Sequence, residues 1–125
     1  MDAAAATAAA IAQWLWAPVL SVGISCVYFV KAPALSIVRR LGVSVHGALL
    51  AWLYAVALGV DLLGFSRESF AVPFWVAFAL PVASAVFALA TFRGNRALHL
   101  FQLLLLACAT WTFVVGTMAI TGNWL

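Results

Sequence analysis

Residues 97–120 read ALHLFQLLLLACATWTFVVGTMAI, a run with no Asp, Glu, Lys or Arg. A membrane-spanning helix needs about 20 mostly apolar residues, and this run supplies them. Before it stands Arg93-Gly94-Asn95-Arg96, a plain helix break. After it comes the polar stub Thr121-Gly122-Asn123. Working back along the chain, the same reading gives three more spans, at about 8–30, 42–64 and 70–92. Between them lie a short basic segment, Lys31 to Arg40, containing Pro33, and a polar one, Phe65 to Ser69. Continuous apolar runs of this length are not the alternating ten-residue strands of a membrane barrel. The expected fold is therefore all-α, a four-helix transmembrane bundle with short loops and a single domain over 1–125.

Composition agrees. The 125 residues are 68% hydrophobic and 7% charged, with mean hydropathy +1.19. Soluble domains carry about 25% charged residues, and a chain this apolar cannot cover its surface with polar groups in water. Lipid is the expected solvent and first partner. The isoelectric point near 9.4 does not indicate nucleic acid. The net charge is only +3, and the bases cluster beside apolar runs, as topology determinants do.

Five of the six bases fall on one side: Lys31, Arg39 and Arg40 in the first connection, Arg93 and Arg96 in the third. The positive-inside rule places these loops (31–41 and 93–96) in the cytoplasm and both termini outside. Asp2, Asp61 and Glu68 fall at the other side, with Trp14, Trp16, Trp75 and Trp124 near that boundary as interfacial anchors. The cytoplasmic (inner) membrane of a bacterium is the expected location, an organelle inner membrane the alternative. Met1-Asp2 followed by alanines lacks the positive start of a signal peptide, and no lipidation motif is read at either end. Cys26 and Cys108 differ in depth by roughly 10 Å, so no disulfide between them is expected.

Polar residues inside spans are costly and therefore informative. On the second span His46, Tyr54 and Asp61 share an arc of about 80°, and on the fourth so do His99, Gln102, Thr110 and Thr117. The first span offers Ala17, Ser21 and Ser25, and the third Ala77, Pro81, Ala85 and Ala88, as small-residue faces that permit close approach. The polar stripes have two readings. They are packing contacts facing the bundle centre, each worth about 0.6 kcal/mol, or they line a polar pathway. Asp61 reads as a helix-end group within reach of water or Arg67. Pro73 and Pro81 read as kinks in the third span.

His46 and His99 fall at similar depth on parallel helices, near Arg39, Arg40, Arg93 and Arg96. Two axial imidazoles with arginines for the propionates would suit a b-type haem, and Gly47 would admit its flat ring. No Cys, Asp or Glu joins the histidines at that depth, so no metal site is expected. Hydrolytic and transfer chemistry is not read either. There is no Ser–His–Asp set at one depth, no HExxH, no phosphate-cradling glycine loop and no carboxylate pair.

Size and the four-span plan resemble the small multidrug resistance transporters. Those depend on a glutamate within the first helix, where this chain offers only Ser21, Ser25 and Cys26, and the match is rejected. The membrane anchors of succinate dehydrogenase use histidine haem ligands, but with three spans and local motifs that are not found here. Three functional readings follow. The first is a non-catalytic subunit or packing partner, in a larger membrane complex or a homo-oligomer, using the small-residue faces. The second is a small oligomeric channel or transporter with a pathway between the second and fourth spans. The third is a haem protein using His46 and His99.

Overall fold

The computed structural model describes residues 2–124, apart from the side chain of Ile11. The readings that touched Met1 and Leu125 lie outside the described residues. Four segments are long and apolar enough to cross a membrane, Ala12–Val30, Val45–Leu62, Glu68–Thr91 and Arg96–Thr121. No strand occurs among the described residues. The chain is a multi-pass helical bundle.

Helix α1 runs Ala3–Val30, so the alanine-rich start continues the first span. Asp2 caps it, its carboxylate accepting from Ala5 N–H at 2.7 Å. At the other end Arg40 Nε donates to the Phe29 carbonyl at 2.7 Å, one of the acceptors a helix end leaves unpaired. The same guanidinium lies 3.9 Å from the Phe29 ring centroid. The basic connection is not wholly irregular: it folds into the short α2, Ile37–Gly42, capped by Ser36.

Helix α3 spans Val45–Leu62, about 27 Å at 1.5 Å per residue. The third span begins with a 3-10 turn at Glu68–Phe70 and is divided into α4, Ala71–Ala77, and α5, Ala79–Thr91. The break at Phe78 follows from Pro81, which has no N–H to give Ala77 and crowds that carbonyl. Pro73 lies in the first turn of α4, where a missing N–H costs nothing. Helix α6 runs Arg96–Thr121, opened by Asn95 and closed by Gly122 at φ 78°, a left-handed cap that suits glycine.

Helix α3 is the centre of the packing. It lies against α1 and α6 most extensively and also against α5, while α1 meets α6 and α4 meets α6. The small-residue face of α1 makes this possible. Ala17 and Ser21 are fully buried and Ser25 nearly so. A Cβ at Gly47 would overlap the Ser21 carbonyl oxygen and Ser25 Oγ. The Ser25 hydroxyl accepts from Ala48 N–H at 2.8 Å. Gly47 is therefore closed off by α1, and its expected use in admitting a flat ring is corrected. The small face of α1 packs within the chain, whereas on the third span Pro81 and Ala88 are buried and Ala77 and Ala85 only partly so. Outward, Val19, Leu62, Leu80, Val86, Leu100 and Leu103 are exposed, which suits acyl chains.

Candidate functional site

A chain of hydrogen bonds crosses the bundle near its basic end. His46 is completely buried. Gln102 Nε2 lies 3.2 Å from His46 Nε2, and Ser84 Oγ lies 3.4 Å from His46 Nδ1. Ser84 Oγ–H donates to the Gly42 carbonyl at 2.7 Å, so its proton is committed. The consistent assignment runs one way: Gln102 N–H to Nε2, Nδ1–H to Ser84 Oγ, and Ser84 O–H to Gly42. The Tyr28 ring packs edge-on to the imidazole, centroids 4.8 Å apart, and its hydroxyl donates to the Leu98 carbonyl at 2.6 Å. α1, α3, α5 and α6 all contribute, and each polar group of the relay answers another.

The remaining candidates are dispersed. His99 Nε2 sits 2.9 Å from the Arg93 carbonyl, at the edge of the bundle. Both His46 nitrogens are engaged inside the chain, whereas His99 bonds a backbone carbonyl of the loop before its own helix. Arg40 is occupied at the end of α1, whereas Arg39, Arg93 and Arg96 are exposed. Tyr54 is buried and donates to the Trp14 carbonyl at 2.5 Å. That carbonyl lies four residues before Pro18, the proline within α1, and is the acceptor that the proline leaves without its N–H. Tyr54 thus supplies the missing donor.

Asp61 Oδ1 accepts from Ser66 Oγ at 3.3 Å and Trp124 Nε1 at 3.3 Å, tying the helix end to the loop and the C-terminal stub. Arg67 lies instead over Phe70, 6.0 Å from its centroid. Thr117 accepts from Trp75 Nε1 at 2.9 Å. Thr110 is exposed and donates to the Leu106 carbonyl of its own helix at 2.9 Å. The buried face of α6 is Leu98, Leu105, Cys108, Thr112, Val115 and Ala119. The expected stripe of His99, Thr110 and Thr117 is turned about 150° from it, and only Gln102 reaches the interior partner. The stripe of α3 is not continuous either, because Leu50, Leu53 and Ala57 fill the core between its polar members. Cys26 is exposed and Cys108 buried, both free.

Sequence reasoning missed Tyr28, Ser84 and Pro18. Pro18 carried a usable signal, since any proline inside a span frees the carbonyl four residues earlier. It also missed a groove. Below the break at Phe78, α5 packs on α3 but scarcely on α6. The space between α5 and α6 is a cleft of about 530 Å³. Its walls include Val82, Ala85, Val86 and Leu89 from α5 and Leu103 and Leu106 from α6, with Leu50 of α3 behind. His99 and Gln102 are its only polar lining residues. Gln102 thus joins the groove to the His46 relay. No protein-family model, curated protein or solved structure matches the chain.

Proposed function

We propose that the chain is a non-catalytic membrane component that works sideways, engaging another membrane molecule across its α5–α6 face. The carrying observation is the groove itself, about 530 Å³ between α5 and α6, with almost entirely apolar walls. Clefts of roughly 300–1,000 Å³ with a few convergent polar groups are the usual form of a binding site. Two features of the interior support the same reading. The polar side chains of the relay are paired with one another, and the core beside them is filled by Leu50, Leu53 and Ala57. Such an interior suits a rigid scaffold. The reading includes a protein neighbour, a larger subunit or a second copy, lying along the α5–α6 face. It places loops 31–41 and 93–96 in the cytoplasm, the termini outside, and the chain in an inner membrane.

Photo-cross-linking in native membranes tests this. A photoreactive residue at Leu103 is expected to give a discrete adduct, while one at the exposed Val19 of α1 gives only lipid background. Equal adduct patterns at the two positions would overturn the proposal.

A further inference from the structure

We infer that the α5–α6 groove is the seat of one anionic phospholipid, its acyl chain between the helices and its phosphate at Arg93 and Arg96. The inference deepens the reading of α5–α6 as the working face by naming an occupant.

Shape comes first. The groove runs from Phe78 to Leu89, about 16 Å of helix at 1.5 Å per residue. Spread over that length, about 530 Å³ makes a narrow slot, long relative to its width. A slot this long and narrow accepts an extended hydrocarbon chain along its length. Chemistry agrees, because the long walls are Val82, Ala85, Val86, Leu103 and Leu106, and both polar lining residues lie toward the His99 end.

Charge fixes the head. The connection between α5 and α6 lies in the chain between Leu89 and His99, which line that end of the groove, and its Arg93 and Arg96 are exposed. The positive end of the 26-residue α6 points the same way and favours an anion. The acidic side chains of the chain lie elsewhere. Its three acids are Asp2, Asp61 and Glu68, at the start of α1, the last turn of α3 and the 3-10 turn, all at the opposite end. An apolar slot that opens sideways, beside a connection that carries two exposed arginines, matches an anionic phospholipid, for which basic pockets between membrane helices are a recurrent site.

The test uses the full chain in vesicles, extracted gently and weighed by native mass spectrometry. The vesicles hold equal phosphatidylglycerol and phosphatidylcholine with identical acyl chains. Wild-type protein is expected to retain one phosphatidylglycerol in preference to phosphatidylcholine. Arg93→Gln and Arg96→Gln should each weaken that preference roughly fivefold, and Lys31→Gln should leave it intact. Ala85→Leu, which fills the slot, should lower retention of both lipids. Equal retention of the two lipids by wild type, or a preference that survives the double arginine variant, would overturn the inference. Arg93 lies on an exposed turn and Arg96 is the exposed first residue of α6, so the test does not depend on whether Ala85→Leu folds. A Leu103 adduct to protein without any phosphatidylglycerol preference would overturn the lipid and leave the working face standing.

Discussion

At the scale of single residues, the bundle depends on a few places where one atom decides. Gly47 is one, since its missing Cβ lets α3 lie against the backbone of α1. Gly47→Ala is expected to cost about 1–3 kcal/mol or prevent folding, because overpacking against a backbone cannot be relieved by a rotamer change. Unfolding in mixed micelles measures it, with Gly59→Ala, where a Cβ meets open space, as the reference. Tyr54 is another. Losing its hydroxyl would leave the Trp14 carbonyl unpaired, a penalty of about 1–3 kcal/mol for a buried acceptor. Pro18→Ala restores the backbone donor, so Tyr54→Phe should cost clearly less in that background. A double-mutant cycle reads the coupling directly; strict additivity would show that the hydroxyl does not compensate for the proline.

Helices and their breaks decide the groove. Pro81 divides the third span, so that α4 follows α6 while α5 leans on α3. Pro81→Ala should join α4 to α5 and bring the far end of α5 back toward α6. A kink of about 20° acting over the roughly 12 Å from Phe78 to Val86 moves Val86 by roughly 4 Å. Spin labels at Val86 and Leu103 should therefore approach each other, and the variant should retain less phospholipid. This scale also shows what could be read beforehand. The four spans were legible because apolar runs of that length have no other stable use. The close-packing face Ala17, Ser21 and Ser25 was legible from its spacing. The inward face of α6 was not. In lipid the outward surface is as apolar as the core, so hydrophobic periodicity does not mark the buried side. Thr110 shows the difficulty, since it satisfies its hydroxyl on the Leu106 carbonyl and can face outward. Leu98 and Leu105 are buried, while the equally apolar Leu100 and Leu103 are not. Partner geometry, which helix spacing alone does not contain, makes that choice.

Over the whole molecule, the bundle is polarised in charge, with two buried apolar clusters in its interior. The tryptophan end is stitched by Trp14, Trp16, Trp111 and Trp124, whose rings lie 5.6–6.3 Å apart in successive pairs. The basic end holds the His46 relay, and the groove opens beside it. Binding from within the bilayer makes a different demand from conduction through the centre, because the walls of the groove must meet lipid and not water. Nitroxide labels at Val86, Leu103 and Leu106, with the protein in bilayers, measure that difference. Relaxation should be enhanced by oxygen, which concentrates in the hydrocarbon, and be nearly insensitive to a water-soluble nickel chelate. Strong relaxation by the aqueous chelate at these three positions would contradict a lateral, lipid-facing groove.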